Sequence, residues 1–207
     1  MIDKYLVSNC LFIIDEFNDR YIKETNEELK QIADNEFSEA DLVVRLGYPF
    51  RQMATFNMQG KSSDIVVKSK DFIVEVKLLR NWKSRGGNAN KIPWDYLQKD
   101  FNWLFDEIKK GKQGHRAFVI GWFNAVDRFS QIVQLGKGIG GFPDIDHEKK
   151  DYFPFLNNDG NKTKDIFYMY PEAFERLPVR IPGYAGASAN CMFFGRLEDK
   201  FHMAMYW

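Results

Sequence analysis

Two acidic residues and one lysine stand in or beside the most β-branched part of the chain. Asp64 begins one predicted strand, the segment 64–67 (DIVV), and Glu75 and Lys77 alternate with apolar residues in the next, the segment 72–78 (FIVEVKL). Side chains alternate between the two faces of a strand, so the acid and the lysine would share one face. Burying a charge is costly, so two charges on an otherwise apolar strand need a reason. Two neighbouring carboxylates and an ammonium could hold a divalent cation and direct water at a phosphodiester.

These residues come together if the two apolar runs form a hairpin. With residues 69–70 as the turn, Val66 lies opposite Ile73 and Asp64 lies opposite Glu75, and a four-residue loop on the same centre keeps this register. Directly opposed side chains have Cβ atoms roughly 4.5–5.5 Å apart, so two carboxylates there repel unless a cation lies between them. The sequence therefore predicts that both carboxylates and the lysine cluster on one face of a sheet. The alternative is a surface hairpin with an ordinary Glu–Lys pair.

The order of these residues resembles a known nuclease signature. Asp64 followed by Glu75-Val76-Lys77 is similar to the D…(D/E)-x-K pattern of the PD-(D/E)xK nuclease superfamily, which has the restriction-endonuclease-like fold. The resemblance implies that Asp64, Glu75 and the backbone carbonyl of Val76 bind Mg²⁺ or Mn²⁺. It also implies that Lys77 orients or activates the attacking water. Ser63 stands where the family often has proline.

A short helix is predicted just before this hairpin, with Ser38 at its N-cap and Gly47 at its end. Its apolar stripe includes the position of Glu39, and a glutamate that faces inward is unusual. Members of the resembled family often carry a glutamate on the first core helix, where it completes the metal site. Glu39 is therefore our candidate third carboxylate and metal ligand, with Glu36 as its rival. The alternative is that this end of the helix is solvated.

The segment from residue 80 to 91 (RNWKSRGGNANK) contains four basic residues, one tryptophan and no acid. Its glycines and asparagines predict a flexible loop. The loop leaves the strand that carries the lysine, where a substrate would lie, and basic side chains around an aromatic residue suit phosphate contact and base stacking. The predicted nucleic-acid contacts are Arg80, Trp82, Lys83, Arg85 and Lys91. The alternative is an ordinary exposed loop.

A long amphipathic helix is predicted over residues 93–110, and a buried strand is predicted over residues 115–123. Gln98 falls on the edge of the apolar stripe of this helix. Nuclease relatives often place a Gln or Lys of this helix beside the metal, so Gln98 is a further candidate catalytic residue. The alternative is a polar residue at the rim of the core. Asp100, two positions on, is predicted to be solvated.

Strand, helix and strand in this order indicate a crossover unit, hence an α/β fold with some parallel pairing. The order of elements is that of the resembled family, which implies a restriction-endonuclease-like mixed central sheet flanked by helices. We predict packing helices in residues 1–35, a nuclease-like core in residues 36–123, and a β-rich C-terminal extension of the same domain in residues 124–207. Further strands are predicted at residues 48–58, 165–170, 191–194 and 201–207.

The composition argues against several classes of protein. The 207 residues carry 29 basic and 29 acidic side chains, so any nucleic-acid contact must come from a local patch. An aromatic content of 16% argues for a folded globule rather than disorder. No apolar run approaches a membrane span, and acids interrupt the short N-terminal apolar run, so we expect neither a membrane protein nor a signal peptide. Two distant cysteines without a C-x-x-C motif favour a reducing, cytoplasmic setting.

The leading hypothesis is a Mg²⁺- or Mn²⁺-dependent endonuclease that hydrolyses phosphodiester bonds of nucleic acid, with DNA favoured. Specific double-strand cutters of the resembled family are often dimers, so the resemblance also suggests a homodimer. The second hypothesis is a non-catalytic protein of the same fold that acts as a protein-interaction module. The third is a nucleotide or small-molecule enzyme that uses the glycine-rich residues 136–141, which lack a phosphate-binding motif.

Overall fold

The computed structural model describes residues 2–56, 63–80, 84–85, 88–89, 91–138, 140–157 and 159–207. The α-helices within this part are α1 (Ile2–Tyr21), α2 (Asn26–Asn35), α3 (Glu39–Gly47), α4 (Trp94–Glu107) and α5 (His147–Lys150). The strands are β1 (Thr55–Phe56), β2 (Ile65–Val67), β3 (Phe72–Leu78), β4 (Ser84–Arg85), β5 (Asn88–Ala89), β6 (Arg116–Phe123), β7 (Gly136–Lys137), β8 (Asp144–Ile145), β9 (Arg176–Arg180), β10 (Ser188–Phe194) and β11 (Phe201–Tyr206).

Seven of these strands form one sheet, in the order β1-β2-β3-β6-β11-β10-β9. β3 and β6 run parallel, and the other neighbouring pairs are antiparallel. Helix α4 connects the two parallel strands, which is the crossover that the sequence predicts. The protein is therefore mixed α/β with a mostly antiparallel sheet, and β9, β10 and β11 extend that same sheet.

Aromatic side chains hold helices against both faces of the sheet. On one face, Phe17 of α1 packs against Phe123 of β6 and Phe201 of β11, with ring centroids 5.4 and 4.5 Å apart. On the other face, Phe101 of α4 packs edge-on against Phe118 of β6, with centroids 5.1 Å apart. Because β6 is covered on both faces, all of its residues are buried, which explains its continuous apolar sequence.

β6 passes close to α3 at Gly121. A Cβ at this position would lie 2.9 Å from a side-chain carbon of Leu42 and 2.8 Å from one of Phe201. The absence of a side chain lets α3 pack directly on the sheet. This close packing brings the first turn of α3 to the C-terminal end of β3, where the Glu39 side chain reaches the backbone of Leu78.

The register predicted for the hairpin of β2 and β3 is confirmed. Val66 pairs with Ile73, and the neighbouring pairs follow the same register. The connection is a 3₁₀ turn over Lys68–Lys70, centred where the sequence predicts it. Buried and half-buried residues alternate along β3, so Glu75 and Lys77 share the more open face, as predicted.

Helix α3 begins at the predicted cap. The Ser38 backbone N–H donates to Asp41 Oδ2 at 2.8 Å, and the Asp41 N–H donates to Ser38 Oγ at 3.3 Å. This reciprocal pair satisfies donors that the first turn of a helix otherwise leaves unpaired. The cap therefore fixes the first helical residue, Glu39, in a defined orientation.

The first predicted strand, over residues 48–58, is only partly present. Its start, Tyr48–Phe50, forms a 3₁₀ turn, because the proline at its second position favours the φ of a helical turn. Only the two-residue β1 pairs with β2. Residues 57–62 lie outside the described part of the chain.

The strand predicted over residues 165–170 is wrong. Two 3₁₀ turns occupy the ends of this segment, and Tyr168 forms only an isolated bridge with Leu156. Its aromatic residues serve the core instead, since Tyr168 accepts a hydrogen bond from buried Trp122 Nε1 at 3.1 Å. β9 was not predicted, because Pro178 interrupts its pattern, yet proline is tolerated in a strand at the edge of a sheet.

Across the residues that the structure describes, no helix combines the length and the apolar character needed to cross a bilayer. Cys10 and Cys191 are both buried free thiols. Burial raises the pKa of both thiols. The two cysteines therefore behave as small apolar core residues rather than as nucleophiles.

Candidate active site

Asp64 is fixed against β3 by a hydrogen bond to the backbone. β2 begins at Ile65, so its ladder with β3 ends before Val76. The Asp64 carboxylate supplies the acceptor that a longer β2 would have supplied, since Asp64 Oδ2 accepts the Val76 N–H at 2.7 Å. The Glu75 carboxyl lies within hydrogen-bonding reach of the side chains of Ser63 and Asp64. The structure thus places the two acids together, as the register predicts.

Lys77 lies between two further carboxylates. Its Nζ is 3.7 Å from Glu39 Oε2 and 3.7 Å from Asp100 Oδ2. The same Glu39 oxygen accepts the Leu78 N–H at 3.1 Å, which ties the start of α3 to the end of β3. We refer to Glu39, Asp64, Glu75 and Asp100 as the carboxylate cluster.

Glu39, and not Glu36, is the helix carboxylate at this cluster. Glu36 is exposed at the C-cap of α2. Burial raises the pKa of the Tyr21 hydroxyl, and the Glu36 charge adds to that rise. The contacts with Lys77 and with the Leu78 N–H are made by Glu39. The capping of α3 therefore decides between the two glutamates that the sequence leaves open.

The contact from α4 comes from Asp100 rather than from Gln98. Gln98 lines a surface cavity with Trp94 and Tyr152 and, within the described residues, forms no hydrogen bond to the cluster. Asp100 was expected to be solvated, but only 19% of its side chain is exposed and it contacts Lys77. The structure therefore replaces the predicted glutamine with an aspartate at this position of the site.

The sequence carries a signal for the position of Asp100 in its spacing from buried residues of α4. Asp100 lies three residues after Leu97 and four before Leu104, both of which are buried. Residues three and four apart share one face of a helix, so this spacing places the aspartate on the buried side of α4. The spacing that selects Glu39 in α3 therefore also selects Asp100 in α4.

Burial raises the pKa of the central carboxyl groups. For Asp64, burial and the charges of Glu75 and Glu39 raise the pKa to about 7, although the backbone hydrogen bond opposes that rise. Burial likewise raises the pKa of Glu75 and of Asp100, with neighbouring acids adding to it. Burial disfavours the charged form of Lys77, but the Glu39 and Asp100 carboxylates outweigh burial and raise its pKa.

The cluster holds more negative charge than its lysine can neutralise. When all four acids are ionised, they face the single ammonium of Lys77, which leaves an excess of three negative charges. Partly buried like charges repel one another, so the cluster favours the uptake of protons or of a cation. Oxygen ligands with excess negative charge suit hard divalent cations such as Mg²⁺.

Among the described residues, no group of three or more His, Cys, Asp and Glu side chains has the spacing of a metal site. Glu39 and Asp100 contact Lys77. Asp64 and Glu75 remain as a pair, and Mg²⁺ commonly takes one or two protein carboxylates together with water and substrate phosphate oxygens. The donor set fits that mode of binding, whereas Glu39 contacts the lysine instead of completing a preformed triad.

The predicted nucleic-acid contacts fall into two groups. Trp82 and Lys83 lie outside the described residues, and Arg85 is described only by its backbone in β4. The side chains of Arg80 and Lys91 are described, the first exposed and the second half-buried. The structure therefore places the two ends of the loop but not its tryptophan.

Arg80 has a structural contact of its own. Its Nη1 donates to the Phe37 carbonyl at 2.9 Å and to the Ala33 carbonyl at 3.4 Å. Ala33 lies in the last turn of α2, where carbonyls lack helical partners and a cation is stabilising. Arg80 therefore anchors α2 to the end of β3.

Asp64→Asn is expected to stabilise the metal-free protein at pH 8 and to change little at pH 4. The folded-state pKa of Asp64 is raised from 3.8 to about 7, so the ionised form destabilises the fold above pH 7. Below pH 4 the group is neutral in both states. We expect about 1–2 kcal/mol at pH 8, well below the ~4 kcal/mol of the full shift because the side chain is partly solvated.

The measurement is thermal unfolding in EDTA at both pH values, where each 1 kcal/mol shifts the Tm by about 2–4 °C for a chain of this size. Asparagine keeps an oxygen that can accept the Val76 N–H. Asp95→Asn, at an exposed position of α4, is the matched control. An equal gain in Tm at pH 4 and pH 8 would show that the carboxylate charge is not its source.

The site therefore rests on four elements: the start of α3, the hairpin of β2 and β3, and the buried face of α4. Each of α3, β3 and α4 contributes one carboxylate, the fourth stands directly before β2, and β3 adds the lysine. A comparison of the chain with protein-family models, with curated proteins and with solved structures finds no match.

Proposed function

We propose that this protein is a metal-dependent nuclease that hydrolyses phosphodiester bonds, with Asp64, Glu75 and Lys77 at its centre. The observation that carries the proposal is the carboxylate cluster around Lys77, in which burial raises the pKa values of Asp64, Glu75 and Asp100. A cluster that only stabilised the fold would pair its charges more evenly, because uncompensated buried charge is destabilising. Perturbed groups of this kind concentrate at functional sites.

A restriction-endonuclease-like arrangement is part of the proposal. Support comes from the order α3, hairpin, α4 and β6, together with the parallel pairing of β3 with β6. Further support comes from the position of Asp64 directly before β2, beside Glu75-Val76-Lys77 of the neighbouring strand β3. The mostly antiparallel remainder of the sheet would then be an addition to this core.

Each residue of the site has a role that follows from its contacts. Asp64 and Glu75, with the Val76 carbonyl, would hold Mg²⁺ or Mn²⁺. A bound divalent cation lowers the pKa of water and offsets the charge of the phosphate. The Lys77 ammonium would donate to a phosphate oxygen or to the attacking water, and Glu39 and Asp100 keep it charged and in place.

The proposal is tested by incubating the purified protein with single- and double-stranded DNA and RNA in Mg²⁺ or Mn²⁺. We expect cleavage, with DNA as the favoured substrate, and complete inhibition by EDTA. An identically purified Glu75→Gln protein controls for contaminating nucleases. A folded wild-type protein that is inert on all four substrates with both metals would refute the proposal and favour the non-catalytic interaction module.

A further inference from the structure

A second basic surface lies where the 80–91 loop rejoins the fold. Lys91 ends that loop, and the next residue, Ile92, is held by backbone hydrogen bonds. Its N–H donates to the Ile132 carbonyl at 2.7 Å, and its carbonyl accepts the Gln134 N–H at 3.0 Å. These bonds place Lys91 beside the segment that follows β6, and that segment carries Arg128.

Arg128 is held in place by neutral groups. With the Gln131 carboxamide oxygen facing the guanidinium, that oxygen accepts from Arg128 Nε at 2.9 Å and from Nη2 at 2.8 Å. Nη1 donates to the Lys164 carbonyl at 3.3 Å. Within the described part of the chain, neither Arg128 nor Lys91 forms an ion pair with an acid. Two positive charges without an acidic partner in the described residues, of which that of Arg128 is held in place, are therefore left for an external anion.

An exposed aromatic ring completes this surface. The Arg128 guanidinium carbon lies 5.2 Å from the centre of the Phe142 ring. Phe142 lies between β7 and β8, and 54% of it is exposed to solvent. Burial lowers the pKa of Lys91, and the Arg128 charge lowers it further, so each cation disfavours the charge of the other. An anion between them would relieve that repulsion.

We infer that Lys91, Arg128 and Phe142 bind a single-stranded segment of polynucleotide, with phosphates on the two cations and a base on the ring. This inference extends the proposed function and rests on it for the identity of the ligand. Phosphate contact beside a base-stacking aromatic residue is the combination that single-stranded nucleic acid requires. A duplex keeps its bases stacked inside and cannot use the ring in this way.

The distance between Lys91 and the carboxylate cluster is short enough for one polynucleotide strand to contact both. Asp100 contacts Lys77 and lies six residues into α4, about 9 Å along the helix from Trp94. The residues from Lys91 to Trp94 span at most about 10 Å more. Lys91 and Asp100 are therefore within about 20 Å of each other, which needs at most about six nucleotides even at the stacked spacing of ~3.4 Å. That number falls within the usual site size for single strands.

The test is fluorescence anisotropy in EDTA with labelled twelve-nucleotide oligothymidylate, oligouridylate and a duplex of equal length. Phe142→Ala should weaken single-strand binding at least about fivefold and leave duplex binding unchanged. Lys91→Ala and Arg128→Ala should each weaken binding about three- to fivefold and lower the slope of log K against log salt by about 0.7. The oligouridylate arm distinguishes RNA from DNA as the source of the strand.

Two variants are matched controls. Lys68→Ala removes an exposed lysine at the opposite end of β3, and Phe12→Ala removes an exposed phenylalanine of α1. Single-strand binding that falls equally in the controls, or that is undetectable in the wild type, would overturn the inference. The inference would also be overturned if polyglutamate displaced the labelled strand as effectively as unlabelled oligonucleotide does, because that result would indicate a general polyanion surface. The binding assay contains no metal, so it does not depend on cleavage. If the wild type binds single strands through Lys91, Arg128 and Phe142 but does not cleave them when Mg²⁺ is added, the nuclease proposal is refuted and this inference is not.

Discussion

Glu75→Gln is expected to abolish metal-dependent cleavage, with a loss of about 10³-fold or more. The substitution keeps the size of the side chain and removes one of the two carboxylates left for the cation. Metal stabilisation of the transition state contributes several kcal/mol, and each 1.36 kcal/mol is about tenfold in rate. Single-turnover cleavage in Mg²⁺ and in Mn²⁺ measures this loss.

The same variant has a readout that does not depend on activity. The wild-type Tm should rise when Mn²⁺ is added, and Glu75→Gln should lose that rise. Glu36→Gln makes the same chemical change at an exposed acid outside the site, so it should keep both cleavage and the Tm shift. Cleavage that persists in Glu75→Gln would place the active site elsewhere in the molecule.

Lys77→Met is expected to lower kcat by about 10²- to 10³-fold, the loss typical of one donor to the charge that develops in a transition state. Methionine keeps most of the length of the stem in a half-buried position. Metal binding should be retained or become tighter, because the ammonium is the positive charge nearest the cluster. A Mn²⁺ titration followed by the Tm, beside the cleavage assay, separates the two effects.

Lys70→Met, at an exposed turn residue, is the control for the loss of a lysine. Two results would contradict the assigned role of Lys77. One is cleavage at the wild-type rate in Lys77→Met. The other is a parallel loss of cleavage and of the Mn²⁺-induced Tm shift, which would mean that the lysine acts on the fold of the site rather than on the substrate.

The hairpin and the helix cap of the site were predictable because they depend on local rules. The turn and the two-residue period of a strand set the register that opposes Val66 to Ile73. Ser38 and Asp41 specify the start of α3 within four residues of sequence. Glu39, Asp64 and Glu75 therefore followed from short-range spacing.

Other parts depend on contacts between distant segments, which spacing does not reveal. Asp100 meets Lys77 only after α4 docks on the sheet, and Arg128 meets Phe142 only through the β7–β8 segment. Tyr168 stands in a sequence that is typical of a strand, but its ring packs in the core without a ladder. In each case tertiary packing, rather than local preference, decided the outcome.

The central position of β6 has a consequence for the order of folding. Its neighbours, β3 and β11, come from segments dozens of residues away in opposite directions along the chain. Closing such long loops is entropically costly, so a chain with this high contact order folds slowly. The hairpin of β2 and β3 is local and can form in about 1–10 μs. Repulsion between Asp64 and Glu75 therefore acts as soon as this hairpin forms. The charges of Glu39 and Asp100 add to it only at the later step in which α3 and α4 dock.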